Sequence, residues 1–291
     1  CEQADGTCWV KCAETVIMVN VTMASDPRPG IDFFPLGVDF EEKMYSVGKI
    51  PGGFKKREGR PSDKAILTSR LIDRPLRPLY PKGFFNDVSV GATALSIDPD
   101  VAPEPLAMLG SSFALTISGI PFAGPTGSVN VALIDGKYIA NPNNEEREKS
   151  RMSLTVSGTR DAVLMVEAGA KEVTEEEMLG GIMFAHDIIK KLVDFQLKAK
   201  EEIGKAPKEV EYYVIDKELE DAVRAYASEK LDYALDTFDR QERQTRQDEV
   251  DKDVKEHFAE TFPEKEREIG DVLYKMTKEK VDHTLSVLME M

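Results

Sequence analysis

Residues 48–83 read GKIPGGFKKREGRPSDKAILTSRLIDRPLRPLYPKG. Between Lys49 and Lys82, ten Lys and Arg residues face only Glu58, Asp63 and Asp73, in a chain whose formal net charge is -15. The rest of the chain is therefore more acidic than the whole, and a cationic segment inside an acidic body points to a locally held polyanion. Gly52-Gly53 precede Phe54-Lys55-Lys56-Arg57, which reads as a flexible, protruding loop bearing one aromatic face and three cations. Single-stranded nucleic acid suits that combination, because cations track phosphates while a ring accepts a stacked base. Arg70, Arg74 and Arg77 recur at spacings of four and three, so a helix aligns at least the first pair. Pro75 and Pro78 fix the chain around Arg74 and Arg77, and forked guanidiniums fit phosphate oxygens. The competing reading pairs these arginines with Asp63, Asp73 and more distant carboxylates. It weighs most on Arg60 and Arg70, and least on Lys55, Lys56 and Arg57, which have only Glu58 beside them.

Outward from this segment, residues 1–205 alternate strand patterns, turns and helices. ETVIMVNVTMAS (14–25) and VSVGATALSID (88–98) are rich in β-branched residues and read as strands. A hairpin is expected to join Val10 to Thr15, and another turns at Asp135-Gly136 within SVNVALIDGKYIANP. RMSLTVSGTRDAVLMVEAGA repeats the pattern around Gly158 to Asp161. PEPLAMLGSSFALTISG (103–119) is apolar on nearly all sides and carries small residues, so it predicts a buried helix packed closely on a sheet. Thr174 and Glu177 stand at capping-box spacing before a long helix that closes at Gly204. Ser62 caps a shorter helix that Pro75 is expected to end. Strands with interspersed helices, without strict βαβα alternation, indicate a mixed α/β or α+β sandwich.

Beyond Gly204-Lys205-Ala206-Pro207 the pattern changes. Residues 216–291 hold one Gly and one Pro, and residues 205–291 carry 15 basic against 24 acidic side chains. DKELEDAVRAYASEKLDYALD and EKEREIGDVLYKMTKEKVDHTLSVLMEM read as amphipathic helices, with Phe262-Pro263 as a break. The expectation is one domain at 1–205 and an all-helical domain at 206–291, its charges forming solvated helix faces.

The 291 residues are 41% hydrophobic and 31% charged, which is ample for a buried core. No apolar run approaches the roughly 20 residues of a membrane span, and no basic-then-apolar opening marks a secretory signal. Cys1, Cys8 and Cys12 are odd in number and confined to the start, which argues against a disulfide framework and a zinc site. Reduced thiols are the expectation, and with them a cytoplasmic location. Strand begins so soon after Cys1 that a preceding segment is expected. His186, His257 and His283 lie far apart on expected helices. No HExxH, G-x-S-x-G or complete P-loop occurs, and Asp39, Asp73, Asp98 and Asp100 are only weak candidates for a metal.

The stretch IDFFPLGVDFEEKMYSVGKIPGGFKKREGRPSDKAILTSRLIDRPLRPLYPKGFFNDV (31–88) resembles the first ribonuclease-PH-like core domain of the bacterial polynucleotide phosphorylase family. The likeness runs on in order through SIDPD, SGIPFAGP, IDGKYIANP and AVLMVEAGAKEVTEEEMLGGIMFAHD. LDTFDRQERQTRQDEVDKDV and the helices after it are similar to that family's all-helical domain. The resemblance implies an α+β, ribonuclease-PH-like sheet/helix sandwich followed by a small all-α domain. It also implies a homotrimeric ring that degrades RNA from the 3′ end with inorganic phosphate, releases nucleoside diphosphates reversibly, uses Mg2+ and acts away from membranes. On this resemblance Phe54, Lys55, Lys56 and Arg57 form a pore loop gripping single-stranded RNA, with one aromatic where many members show two. Arg70, Arg74 and Arg77 match arginines near the RNA path.

The family's phosphate site and Mg2+-binding aspartates belong to a second core domain, followed by KH and OB-fold modules, none of which these residues resemble. The expectation is thus that this chain, as part of a larger enzyme, is inactive alone and has no catalytic residue of its own. The alternative is a non-catalytic RNA-binding or scaffold module of a ribonuclease-PH-type ring. Lys11-Cys12-Ala13-Glu14-Thr15 and Trp9 depart from the family pattern of the first hairpin.

Overall fold

The run 14–25 forms β2 (Thr15–Met23), paired antiparallel with β1 (Gly6–Cys12) across a turn in which Ala13 takes a φ of 48°. The computed structural model describes residues 1–31 and 33–290, with residues 284–290 as backbone only. β4 (Val88–Ser96) pairs antiparallel with β2 and parallel with β3 (Leu36–Glu42), giving a sheet of order β1-β2-β4-β3. A second sheet, β6-β5-β7-β8, is antiparallel throughout. Its strands are β5 (Gly127–Ile134), β6 (Lys137–Ala140), β7 (Met152–Gly158) and β8 (Val163–Ala170). Asp135 and Gly136, both at positive φ, make the tight β5–β6 hairpin.

α2 (Pro103–Ser118) is buried along most of its length and packs on β1 and β2, and also on β5 and α4 (Glu175–Ile203). Gly110 permits the close approach, since a Cβ there would lie 2.8 Å from Val19 Cγ2 and 3.0 Å from Val10 Cγ2. The Cys8 thiol donates to the Gly110 carbonyl at 3.2 Å. Burial pushes that thiol up to about 12 from its ordinary 9.0. A buried hydrogen-bond set joins α2, α4 and the entry to β5. Ser112 donates to Gln196 and accepts from Thr126 N–H, and Gln196 donates to the Thr126 carbonyl, each at 2.8 Å. Ile17, Val19, Val21, Phe40, Ile72 and Leu115 anchor the first core. Val131, Leu133, Leu154, Val156 and Ile189 anchor a second core beneath α4.

α1 (Asp63–Leu76) begins at the Ser62 cap but runs through Pro75, where the sequence reading expected it to stop. Proline removes only its own N–H, and this late in the helix the next bond, Arg77 N–H to Asp73 O, still forms. α4 carries the Thr174/Glu177 capping box, while Gly204 ends it with a φ of −65°, not in the left-handed region. Glycine is needed there because a Cβ would lie 2.4 Å from the Lys200 carbonyl oxygen. The sequence reading passed over α3 (Asn144–Lys149), although Asn143 and Glu146 form a complete capping box.

The chain divides into compact units Cys1–Tyr213 and Val214–Met291, whereas the sequence reading drew its line at 205/206. Residues 205–213 belong to the first unit: Lys205, Lys208 and Tyr213 donate their N–H groups to Ile117, Gly119 and Gly83, and Val210 packs on the first core. The second unit holds α5 (Lys217–Leu235), α6 (Arg240–Phe258) and α7 (Glu266–Glu290). Leu219, Val223, Ala227 and Leu231, spaced at four, bury against Val250, Val254 and Phe258 of α6 and Ile269, Val272 and Met276 of α7.

Gly110→Ala lowers stability by about 1–3 kcal/mol despite the better helix propensity of Ala, because the added methyl overlaps Val19 and Val10. Gly91→Ala, with nothing within 4 Å of the new carbon, is the matched control. A denaturation midpoint for Gly110→Ala equal to that of the control would show α2 seated more loosely. The raised Cys8 value contributes stability that is complete below about pH 9 and is lost as pH rises toward 12, because only the unfolded chain ionises in that window. In a native thiol titration near neutral pH, Cys1 and Cys12 react promptly and Cys8 lags until the protein unfolds. Simultaneous reaction of all three thiols would contradict its burial.

Candidate nucleic-acid interface

The chain leaves β3 through a 3-10 turn at Met44–Val47, closed by Gly48 at a φ of 70°, which a side chain would strain. The Ser46 hydroxyl donates to the Lys43 carbonyl at 2.6 Å, and the Ser46 carbonyl accepts from Ile97 N–H at 3.0 Å, just past β4. Met44 N–H donates to Glu58 Oε1 at 2.9 Å, tying the two ends of the 48–61 loop. A hydrogen bond to Glu41 and its charge hold the Lys43 ammonium above its ordinary pKa against the slight cost of burial, so it stays charged beside this base. Ser62 then accepts from Ala65 N–H at 3.2 Å and starts α1.

On this pinned base the tip stands clear. Lys56 N–H donates to the Gly53 carbonyl at 3.0 Å with Lys56 at a φ of 49°, making a tight turn. Phe54 is fully exposed, and Lys55, Lys56 and Arg57 are exposed without a side-chain partner among the described residues. Behind the tip lies a cleft of about 420 Å³ whose lining includes Glu41, Glu42, Arg57, Glu58 and Arg60.

The helix-borne cations divide into two groups. Arg70 is exposed, and neither it nor Arg60 has an ion-pair partner among the described residues. Arg74 bonds Glu167 of β8 at 2.9 Å. Arg77 donates to Asp73 at 2.7 and 3.1 Å and to the Phe34 and Leu36 carbonyls at 3.0 and 3.2 Å, so it braces the chain entering β3. Lys64 is shared by Glu42 and Glu104 at 3.4 and 3.2 Å; burial works against its charge, but the two carboxylates outweigh it and raise its pKa. Ion pairing therefore takes Arg77, through Asp73, and Arg74, through Glu167, and not Arg60 or Arg70, for which the sequence left pairing open. Glu167 lies 93 residues from Arg74 and left no local signal. Exposed Ile66 and Leu67 on α1, and Ile50 on the loop, add an apolar component that the charge count did not register.

Among the described residues no three His, Cys, Asp or Glu side chains gather as a metal site. Asp73 is engaged by Arg77, and Asp98 accepts from Asp100 N–H. His186 Nε2 lies 3.2 Å from the Thr159 carbonyl, and His257 stacks on Tyr226 at 3.8 Å. No described helix is long and apolar enough to cross a membrane.

Residues 1–121 match the 3′ exoribonuclease family, domain 1, and residues 124–188 match domain 2 of the same family. Residues 218–285 match the polyribonucleotide nucleotidyltransferase RNA binding domain. The polyribonucleotide nucleotidyltransferase of Clostridioides difficile is 57% identical over 258 residues, which is 89% of this chain and 37% of that protein. That of Heliobacterium modesticaldum is 51% identical over 286 residues, 98% of this chain and 40% of that protein. The chain thus spans about two-fifths of the length of these relatives. Among solved structures, a chain of the Archaeoglobus fulgidus exosome with RNA bound to the active site aligns with a TM-score of 0.53 at 20% identity, covering 67% of this chain and 84% of its own. Rice Rrp46 aligns at 0.54 and 14%, covering 68% and 90%. Both likenesses show the ribonuclease-PH-like fold.

Arg77→Ala costs about 1 kcal/mol of stability, since it removes an exposed brace of four hydrogen bonds to Asp73 and the Phe34 and Leu36 carbonyls, while Arg70→Ala stays within about 0.5 kcal/mol. Urea midpoints for the two variants check this, and equal midpoints would remove Arg77 from the brace.

Proposed function

This chain belongs to the 3′ exoribonuclease family, in the form found in polyribonucleotide nucleotidyltransferases, and from that premise we propose that it is the RNA-gripping part of a phosphorolytic 3′-to-5′ exoribonuclease. In that reaction an oxygen of inorganic phosphate attacks the phosphorus of the last linkage. The 3′ oxygen of the penultimate nucleotide leaves and a nucleoside diphosphate is released. A phosphoanhydride bond of the diphosphate forms as a phosphodiester bond breaks, and the two are close enough in free energy for the reaction to run in either direction.

The observation that carries the reading is the pinned loop whose tip holds Phe54, Lys55, Lys56 and Arg57 out in solvent, without partners among the described residues. Phe54 offers a face for one base and the three cations follow the strand's phosphates, with Arg70 as a further unpaired cation on α1. Arg74 can exchange Glu167 for a phosphate at little cost, because that pair is exposed. Arg77 serves the same surface indirectly by holding the chain around it.

In the reading's fuller form the protein assembles as a homotrimeric ring in the cytoplasm, where free Cys1, Cys8 and Cys12 are chemically at home. The ring threads single-stranded RNA past these loops. Mg2+ is the family's metal, and in this reading it belongs to the part of the enzyme that carries the phosphate site.

Anisotropy of a labelled oligoadenylate, titrated with the 291-residue chain at several salt concentrations, tests the grip. Replacing Lys55, Lys56 and Arg57 together by Ala weakens binding and lowers the salt slope by about 2, and Phe54→Ala costs about 1–3 kcal/mol. Unchanged affinity in both variants would take the loop out of the RNA path. These residues alone are expected to release no diphosphates from RNA and phosphate, and robust turnover would refute that division of labour.

A further inference from the structure

A second cleft, of about 410 Å³, opens between the Met44–Val47 turn and the 48–61 loop. Four cations line it, Lys43, Lys49, Lys56 and Arg57, against the single carboxylate of Glu58. That carboxylate already accepts from Met44 N–H at 2.9 Å. Lys43 bonds Glu41 at 3.1 Å, while Lys49, Lys56 and Arg57 are exposed and have no ion-pair partner among the described residues. Within a chain of net charge -15 the cleft thus keeps a local surplus of positive charge, which selects an anion. Its frame is fixed by backbone bonds. Ser46 N–H donates to the Lys43 carbonyl and Gly48 N–H to the Tyr45 carbonyl, each at 3.0 Å, and Lys49 N–H donates to the Met44 carbonyl at 2.9 Å. Tyr45, half exposed, lines the cleft together with Ile50 and Pro51, so an aromatic and apolar wall adjoins the cations.

The two kinds of wall suit two parts of one small molecule: a base lies on the Tyr45 ring while phosphates meet the cations. A turn bound in place before the ligand arrives loses little freedom when the ligand seats. The convergence of the cations decides between a strand and a free nucleotide. An RNA strand spreads its charge at one phosphate per nucleotide, whereas a terminal diphosphate gathers its charge at one point, where several cations can reach it together. The size of the cleft also fits a small ligand. We propose that this cleft binds a nucleoside diphosphate, its base against Tyr45 and its phosphates among Lys49, Lys56 and Arg57. Lys56 and Arg57 are also the cations offered to RNA, so a bound diphosphate withdraws them from the strand. The released product thereby loosens the grip on its own substrate, a consequence that rests on the RNA-gripping reading, while the binding of the nucleotide does not.

The test titrates ADP carrying a fluorescent N-methylanthraniloyl group on its ribose with the full 291-residue chain and follows anisotropy. Tyr45→Ala weakens binding roughly tenfold and Tyr45→Phe retains it. Lys49→Ala weakens it up to about fivefold, and Lys82→Ala, a cation outside the cleft lining, leaves it unchanged. Unlabelled ADP displaces the probe at lower concentration than AMP, and adenosine displaces it least. Thermal melts of Tyr45→Ala and Lys49→Ala match the parent, because both side chains are exposed. Unlabelled ADP also releases a labelled oligoadenylate from the parent chain, and more of it is needed with Tyr45→Ala. If Tyr45→Ala and Lys49→Ala bind labelled ADP like the parent, or AMP competes as well as ADP, the cleft proposal falls, whatever the oligoadenylate shows. If both variants weaken labelled ADP while the Lys55→Ala, Lys56→Ala, Arg57→Ala variant holds oligoadenylate like the parent, the cleft stands and the loop reading falls. Weaker oligoadenylate binding by Tyr45→Ala with labelled ADP unchanged would give the cleft to the strand and overturn the proposal.

Discussion

The close seating of α2 against both sheets governs the first unit. Gly110 allows the helix to lie against Val19 and Val10, and Gly6 meets it from β1, where a Cβ would lie 2.2 Å from the Ala114 carbonyl oxygen. Burying a helix this deeply puts its polar side chains out of reach of water, so each must find an internal partner. Ser112, Gln196 and the Thr126 backbone answer that demand together, and in doing so set the spacing between α2, α4 and the start of β5. Apolar packing supplies most of the driving force, but this polar set selects one arrangement among several of similar area.

From α2 the order passes outward to the loop. Glu104, in the first turn of α2, shares Lys64 of α1 with Glu42 at the end of β3. Arg77, at the far end of α1, returns to the carbonyls that lead into β3. One helix thus clamps both ends of an edge strand, and the loop between them hangs from fixed posts. Cations with nearby carboxylates have become structural, while those beyond the reach of any carboxylate are left to solvent. That sorting is geometric: Asp73 lies one turn from Arg77, whereas the tip at 54–57 projects past Glu58, whose carboxylate is already committed to Met44.

Most of the architecture was legible because it is local. Capping residues at Ser62 and Thr174, the Asp135-Gly136 turn and the apolar run 103–119 each state their conformation within a few residues. What escaped is non-local or depends on context. Pro75 looks like a terminator, yet its position in the last turn spares the bonds that matter. Gly204 looks like a left-handed cap and is instead a steric necessity beside Lys200. The exposed tip could be anticipated from its glycines and charges, and the pairing of Arg77 with Asp73 was the competing reading, but Arg74's bond to Glu167 and Arg77's hold on the carbonyls of residues 34 and 36 had no local signal.

The strap formed by residues 205–213 has a mechanical consequence. Its N–H groups at Lys205, Lys208 and Tyr213 close on three separate points, Ile117, Gly119 and Gly83, and the Lys208 ammonium adds a fourth at Asp5. Tension arriving along the chain from residue 214 meets Tyr213 first and Lys205 last, so the strap peels in sequence and does not share the load. Each backbone bond is worth only about 1 kcal/mol, so the strap's hold rests as much on Val210 in the first core and on Tyr212 and Tyr213 against Phe84 and Phe85.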